Sequence, residues 1–289
     1  MADNQKSRSQ NTSSLVMPKA QRRTNSKGEA ATLGRALLGQ LNVINALVLR
    51  ETRTRFGKHQ LGYAWALLEP ALMILTFLAM FAIAKRKTTA GMDTFAFLAT
   101  GIVPYLLFAK TTVQVSQAIN GNKGLLFYPQ VKPMDVVFAR VALEFCTYVA
   151  VFMLLMGANV LLRQDLAISD PLLIVQGFAL ASLLGMSLGL VFMGLGQLSN
   201  ATDRARGPLM RPFFWVSGLF FTAESLPAQY REMVLHNPVL HVTELVRSGW
   251  FPSYTDEYTN ISYGLLWVLG LSFVGLTLEV LTRRRIEVT

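Results

Sequence analysis

The chain has 289 residues, of which 52% are hydrophobic and 15% are charged, and its formal net charge is +10. Soluble domains carry about 25% charged residues, so this composition excludes an ordinary soluble domain and indicates an integral membrane protein. The basic charge then fits an anionic membrane surface better than nucleic acid, and the single cysteine, Cys146, excludes an intramolecular disulfide.

The N-terminal part of the chain has two segments of different character. Residues 1–32 are polar and lack an apolar stretch long enough for a signal-peptide core, so they are predicted to be a disordered cytoplasmic tail. Residues 33–60 are predicted to form an amphipathic helix in the membrane interface, with its cations at the lipid phosphates. Its apolar residues recur every three or four positions: Leu37, Leu38, Leu41, Ile44, Leu47 and Val48.

Six membrane-spanning helices are predicted in the rest of the chain, since a span needs about 20 mostly apolar residues. They cover about 61–84, 94–119, 138–162, 172–198, 208–224 and 260–281. The fifth is unusual because its uncharged core, 212–223, is shorter than a span needs, which is typical of a re-entrant or protein-shielded segment. Residues 225–259 are predicted to form short periplasmic re-entrant helices. The expected fold is therefore an all-α integral membrane protein.

The loop charges predict that both termini are cytoplasmic. With an inside N-terminus, most of the 27 lysines and arginines fall on inner segments, as the positive-inside rule requires. The outer loop with Lys85, Arg86 and Lys87 departs from that rule. Those cations either meet an acidic polymer or a partner, or are a surface charge run.

Motifs for catalysis and for metal or nucleotide binding do not stand out. The sequence has no G-x-x-x-x-G-K-[ST] loop for phosphate, no H-E-x-x-H and no C-x-x-C. His236 and His241 are five residues apart, a poor spacing for two ligands on one helical face. We therefore expect no metal site and no bound cofactor, and we expect any energy source to lie on another chain.

Two motifs carry a resemblance to a known family. The stretch "RETRTRFGKHQLGYAWALLEP", residues 50–70, runs a basic segment into an aromatic first span through an R-x-R-[FY]-x(4)-L-G pattern, and "NPVLHVTELVRSGWF" covers 237–251. Both resemble permeases of the polysaccharide-export branch of ABC transporters, and the resemblance runs from about residue 33 to 285. The "LLEP" ending with Glu69 is most similar to the capsule-export members.

The resemblance implies a homodimeric permease that exports lipid-linked capsular polysaccharide across the bacterial inner membrane. It also implies two separate cytoplasmic ATPase subunits that bind ATP and Mg, a periplasmic co-polymerase and an outer-membrane translocon. Alternatives within transport are O-antigen, teichoic acid or another lipid-linked glycan, or a drug or lipid. Outside transport, a membrane enzyme that modifies lipid-linked sugars and a scaffold subunit remain open.

The resemblance also suggests where the partner ATPase docks. The inner loop 120–137 carries a run of apolar residues, which is costly unless something covers it. The family places its ATPase contact here, so the loop is interpreted as a coupling helix, with packing back on its own chain as the alternative. The residues concerned are Leu125, Leu126, Phe127 and Tyr128.

Two groups of residues are candidates for the substrate. The first would receive an anionic glycolipid headgroup from the inner leaflet, or simply anchor the chain to lipid phosphates: Arg53, Arg55, Lys58 and His59. The second would pack aromatic faces on sugar rings, or serve only in packing: Tyr63, Trp65, Tyr105, Phe108, Phe214 and Trp215.

Three charged residues lie within the predicted spans and need partners, because isolated charges are costly there. Glu69, Lys110 and Glu144 lie roughly 12, 14 and 9 Å from the inner ends of their spans. We expect Lys110 to bridge Glu69 or Glu144 and so hold the first three spans together; a protonation relay is the rival interpretation. A ladder of small residues, Ala181, Gly185 and Gly189, permits close helix contact within one subunit or across a dimer.

Overall fold

The computed structural model describes residues 26–56, 61–86, 88, 91–125, 131–163, 168–199, 201–254 and 257–286. Their regular structure is entirely helical. The chain divides into two compact units, residues 1–39 and 40–289, and the first is described only from residue 26. The helices are α1 (Ser26–Phe56), α2 (Leu61–Ile83), α3 (Thr94–Ser116), α4 (Pro133–Arg163), α5 (Pro171–Leu198), α6 (Ala201–Val216), α7 (Ala228–Leu235), α8 (Pro238–Trp250) and α9 (Ile261–Ile286).

Five of the described helices are long and apolar enough to cross a membrane: α2, α3, α4, α5 and α9. They confirm five of the six predicted spans as apolar helices. The predicted fifth span, 208–224, differs from the structure. Helix α6 begins earlier, at Ala201, includes charged residues and ends at Val216, because the chain turns at Gly218, where φ is +72°. A sixth crossing is therefore not shown.

Two other boundaries differ from the prediction. Helix α1 begins at Ser26, so residues 26–32 are helical although they were predicted to be disordered. Glu29, Ala30 and Ala31 are good helix formers, which favours this extension. Helix α4 begins at Pro133, where proline suits the first turn of a helix, so the predicted inner loop is shorter than 120–137.

Helices α3 and α5 form the buried centre of the second unit, and α2, α4 and α9 lie around them. The small residues of α5 make this possible. A Cβ atom on Gly185 would lie 2.7 Å from the Phe108 carbonyl oxygen, and one on Gly189 would lie 2.6 Å from the Val115 Cβ. The ladder predicted from the sequence therefore serves packing within one chain, between α5 and α3.

Polar side chains set the starts of three helices. Asp93 accepts a hydrogen bond from the Ala96 N–H at the start of α3, at 3.0 Å. Asp170 caps α5 in the same way, and Asn237 caps α8. Each satisfies an N–H group that has no partner in the first helical turn, so these short polar residues fix where the helices begin.

The part of α1 that belongs to the second unit, residues 40–56, packs one face against that unit's core. Leu47 is buried and Val43, Ile44 and Val48 are partly buried, whereas Leu41, although part of the predicted apolar stripe, is exposed. The stripe contacts the adjoining ends of three helices, at residues that include Val115, Ala118, Val136, Val137, Leu190 and Met193. This end of the unit, where α1 packs, is called the α1 end; the opposite end is the α8 end.

We predict that Gly185→Ala destabilises the protein, whereas Gly157→Ala does not. The added methyl at 185 would meet the α3 backbone at 2.7 Å, but a methyl at 157 has no atom within 4 Å. Overpacking costs about 1–3 kcal/mol, and alanine in an open helical position gains up to about 1 kcal/mol. Thermal unfolding in mild detergent measures both. Equal unfolding temperatures for the two variants would contradict the α3–α5 packing.

Candidate functional site

The most unusual backbone lies between α6 and α7. Residues 217–226, here called the arginine-capped segment, are not helical. Gly218 has a left-handed φ of +72°, and a Cβ atom there would lie 2.4 Å from Leu240 Cδ1 of α8. Glycine is therefore required at this position by both backbone conformation and space. Irregular backbone inside a membrane domain also needs partners for its carbonyl groups.

Arg247 of α8 supplies several of these partners. Its side chain is 0% exposed, and its guanidinium donates to the carbonyl oxygens of Gly218, Leu219 (3.3 Å) and Phe221 (3.0 Å). The guanidinium also lies over the ring of Phe97 on α3, 4.1 Å from the ring centre. One buried arginine thus joins α8, α3 and the arginine-capped segment.

Glu244, one helical turn before Arg247, compensates the buried positive charge. Its carboxylate lies 3.1 Å from Arg247 Nη1, and it accepts hydrogen bonds from the Tyr254 hydroxyl and, at 3.3 Å, from the Ala223 N–H. Glu244 is 1% exposed. Burying an ion pair is acceptable when further hydrogen bonds satisfy both groups, and here both charges bind the arginine-capped segment.

Two more arginines donate to the same segment. Arg86, in the connection after α2, donates to the Phe220 carbonyl at 3.0 Å. Arg231 of α7 lies 4.5 Å from the ring centre of Tyr258 and donates to its hydroxyl at 2.6 Å. The carbonyls that accept from Arg231 are those of Ala223 (3.0 Å), Glu224 (3.2 Å) and Leu226 (2.9 Å).

These contacts change the interpretation of the basic run at 85–87. Arg86 is exposed, but it donates to the Phe220 carbonyl of its own chain. Lys85 is exposed, and Lys87 lies outside the described residues. A contact of this run with an acidic polymer or a partner thus stays a prediction for Lys85 and Lys87.

Four of the six predicted aromatic residues are either buried or exposed, and Phe214 is half-buried. Tyr105 and Phe108 are buried in α3, where Tyr105 donates to the Met210 carbonyl of α6 at 3.1 Å and packs edge-on against Phe214. Because α6 covers these two rings, they are not accessible to stack on a sugar in this structure. Trp65 and Trp215, in contrast, are 62% and 59% exposed.

The structure brings two of the three intramembrane charges together. Lys110 Nζ of α3 lies 2.7 Å from Glu69 Oε1 and 2.8 Å from Glu69 Oε2 on α2, within the range expected for the predicted bridge. Both side chains are 37% exposed. Glu144 is buried on α4. The pair links α2 to α3, and its exposed part needs a polar environment.

The predicted headgroup site is described only in part. Arg53 is exposed on the free face of α1, where it borders an open surface cavity lined by residues of α1 alone, with Ala46, Leu49, Arg50 and Thr54. The side chains of Arg55 and Tyr63, and all of Lys58 and His59, lie outside the described residues. The cavity therefore combines two guanidinium groups with apolar side chains.

The predicted ATPase contact is also described only in part. A short 3-10 helix, Asn120–Asn122, follows α3, and Leu125 packs partly buried against the core at the α1 end. Leu125 therefore agrees with the alternative of packing on its own chain. Leu126, Phe127 and Tyr128 lie outside the described residues, and their coupling role stays a prediction.

Comparison with known proteins identifies the family. The family model described as "ABC-2 type transporter" matches residues 42–251. The chain belongs to the ABC-2 type transporter family. It is 36% identical over 235 residues to the polysialic acid transport protein KpsM of Escherichia coli, covering 81% of this chain and 91% of that one.

Two further relatives match over a slightly larger part of the chain. The capsule polysaccharide export inner-membrane protein BexB of Haemophilus influenzae is 28% identical over 251 residues, which cover 87% of this chain and 95% of BexB. The corresponding protein CtrC of Neisseria meningitidis is 27% identical over 252 residues, again covering 87% and 95%. The family match, residues 42–251, includes α2 to α8, and so both the Lys110–Glu69 pair and the arginine-capped segment of this ABC-2 permease.

Sequence reasoning missed Arg247, Glu244 and Arg231. The available signal was an E-x-x-R spacing on an otherwise apolar stretch, which places a carboxylate and a guanidinium on one helical face. The partners of Arg247 could not be found this way, because they are backbone carbonyls 26 to 29 residues earlier in the chain.

We predict that Arg247→Gln strongly destabilises the protein, whereas Arg163→Gln has little effect. Both arginines pair with a carboxylate, but Arg163 is 58% exposed and its partner is Asp93, at 2.7 Å. Breaking a buried pair costs about 3–5 kcal/mol, against about 0–1 kcal/mol for an exposed one. Thermal unfolding and the yield of monodisperse protein measure the difference. Similar losses in the two variants would contradict the role given to Arg247.

We also predict that Lys110→Met lowers the thermal stability of the protein and that adding Glu69→Gln restores part of it. The single change leaves the Glu69 carboxylate without its ammonium partner, whereas the double change removes both charges. An unsatisfied partly buried group costs about 1–3 kcal/mol, so the double variant should unfold at the higher temperature. If the double variant is no more stable than Lys110→Met, the pair does not hold α2 to α3.

Proposed function

We propose that this chain is the transmembrane permease subunit of an ATP-driven exporter that moves lipid-linked capsular polysaccharide across the bacterial inner membrane. Two copies form the pathway, and each binds one separate cytoplasmic ATPase subunit that holds ATP and Mg²⁺. The chain itself performs no covalent chemistry. A periplasmic co-polymerase and an outer-membrane translocon receive the polymer.

The observation that carries the proposal is the extent of similarity to capsule exporters. The family match covers α2 to α8, and the relatives named for polysialic acid or capsule polysaccharide align with this chain over more than nine tenths of their own length. A match of that extent includes four of the five helices that are long and apolar enough to cross a membrane. It favours the same cargo class over a membrane enzyme or a scaffold subunit.

Exposed charge on α6 supports a homodimer with a polar pathway. Arg211 is exposed, and it follows Met210, whose carbonyl accepts from Tyr105 halfway along α3. Arg211 therefore lies near the middle of the apolar span. A cation exposed to lipid at this depth is costly, so the face of α6 needs water or a second copy of the chain beside it.

The exposure of the Lys110–Glu69 pair supports a polar pathway beside α2 and α3. The two side chains, on α2 and α3, are 37% exposed. Trp65 on α2 and Trp215 on α6 expose aromatic faces, which suit the apolar faces of sugar rings. We propose that two copies enclose the path between their α2 and α6 faces.

The energy source is proposed to lie on the partner ATPases. The sequence has no phosphate-binding loop of the P-loop type, and the chain after α3 offers the contact at residues 120–128. With both termini cytoplasmic, the α1 end faces these ATPases. The cavity beside Arg53 is then on the side where an anionic glycolipid headgroup enters.

Deleting the gene in its native host tests the proposal. We expect polysaccharide to accumulate inside the cell while the surface stays bare, because synthesis continues without export. Staining intact and permeabilised cells separates the two pools. Complementation with the wild-type gene should restore the surface coat, and Gly157→Ala, which changes an open position, should restore it as well.

The other outcomes contradict the proposal in different ways. An unchanged surface coat excludes capsule as the cargo and favours another lipid-linked glycan, such as O-antigen or teichoic acid. Polymer that is missing both inside and outside favours a role in synthesis.

A further inference from the structure

A second buried arginine joins three helices at the α1 end. Arg140, near the start of α4, is 8% exposed. Its Nη1 donates to the Gln114 carbonyl of α3 at 2.6 Å, and its Nη2 lies 3.3 Å from Glu51 Oε1 of α1. Charge-assisted hydrogen bonds of this kind are directional, so the guanidinium fixes how α1 sits against α3 and α4.

The neighbouring residue of α1 contacts the turn that follows α3. Arg50 donates to Asn122 Oδ1 at 3.2 Å, and the Asn122 amide donates to the Ala118 carbonyl at 3.2 Å. The turn also approaches Arg140, because a Cβ atom on Gly121 would lie 3.1 Å from Arg140 Nη2. Residues 50 and 51 therefore attach α1 to both sides of the turn.

A third polar contact secures the same helix further toward its N-terminus. The Gln40 amide donates to the Asp135 carboxylate at the start of α4, and Asp135 also accepts from the Lys132 N–H at 2.9 Å. Between these polar contacts, α1 touches the core only through Val43, Ile44, Leu47 and Val48 and similar apolar side chains. Apolar contacts are not directional and permit a helix to slide, whereas the polar contacts fix its register.

We propose that Glu51 and Arg140 are positioning residues for energy coupling: their ion pair makes α1 and the turn 117–125 move as one body when an ATPase displaces the turn. The inference rests on the proposed function, which places the ATPase beside this turn. Arg50 and Arg53 border the cavity on the free face of α1, so a movement of the turn also displaces that cavity. The Glu51–Arg140 pair thus transmits the movement that the ATPase causes in the turn to the predicted headgroup site.

The experiment uses the permease together with its ATPase in lipid nanodiscs. A fluorophore on Asn45→Cys, an exposed position of α1, reports the movement of α1 when ATP binds, in a Cys146→Ser background. We expect an ATP-dependent signal in this reference protein and its loss in Glu51→Gln and in Arg140→Met. The matched control is Asn42→Ala, a polar exposed residue of the same helix, which should retain the signal.

Transport provides the second readout. In cells, each single variant should lower exported polymer per ATP hydrolysed by about tenfold, while ATPase binding and basal hydrolysis are retained. The double variant should be no worse than either single one, because both remove the same interaction. Arg140→Lys keeps the charge with fewer hydrogen-bond donors, so its export should lie between that of the wild type and that of Arg140→Met. This variant replaces Glu51→Gln in the experiment if Glu51→Gln does not assemble with the ATPase.

The two hypotheses fail in distinguishable ways. An ATP-dependent signal that persists in Glu51→Gln, or additive losses in the double variant, would overturn the role of the pair while export by the wild type stands. A wild-type complex that hydrolyses ATP and shows the α1 movement but exports no polysaccharide would refute the proposed cargo and leave the positioning role supported. Failure of the wild-type α1 probe to respond to ATP would overturn the inference directly.

Discussion

The burial of Arg247 is the constraint on which the α8 end of this permease depends. An unpaired guanidinium cannot be buried cheaply in an apolar helix packing, and irregular backbone cannot be buried without donors for its carbonyl groups. In this structure the buried guanidinium and the buried carbonyl groups satisfy each other. The arginine binds the carbonyls of the arginine-capped segment, Glu244 compensates its charge, and the flat guanidinium lies on the ring of Phe97. Small residues make room for this arrangement: a Cβ atom on Gly101 would lie 2.9 Å from Arg247 Nη2.

The position of α6 follows from this fixed segment. Because the chain leaves the helical path after Val216, α6 is only 16 residues long. Its Arg206 donates a hydrogen bond to Ser116 at the end of α3, whereas Arg211 follows Met210, which contacts Tyr105 in the middle of α3. Tyr105 and Phe108 are covered as a result, while Arg211 and Trp215 are exposed. At the α1 end, Arg140 joins helices as Arg247 does at the α8 end: from α4 it binds Glu51 of α1 and the Gln114 carbonyl of α3. The two ends of the membrane domain are each organised by one buried arginine.

The sequence predicted those features that depend on local composition or on depth. Five apolar helices were found from hydropathy alone, and matching the depths of Glu69 and Lys110 anticipated their contact. What could not be predicted depends on tertiary contacts. The hydrogen bond of Arg86 is an example, because nothing in its sequence neighbourhood reveals the carbonyl of Phe220, which is 134 residues away. Tyr105 was a reasonable ring for a sugar, and only the packing of α6 shows that it is covered. Arg247 lies within a motif that carries the family resemblance, but its partners in the arginine-capped segment are backbone carbonyls, which leave no pattern in the sequence.

Hydrogen–deuterium exchange of the arginine-capped segment tests whether Arg247 holds this segment in place. The N–H groups of Ala223, Ser225 and Leu226 donate within the protein, to Glu244, Thr222 and Ala223 respectively. In lipid nanodiscs, peptides covering 217–226 should therefore exchange as slowly as those of α8, and Arg247→Gln should speed exchange there while α9 stays unchanged. Rapid exchange of these peptides in the wild type would show that the segment is not held by Arg247, and would contradict the account.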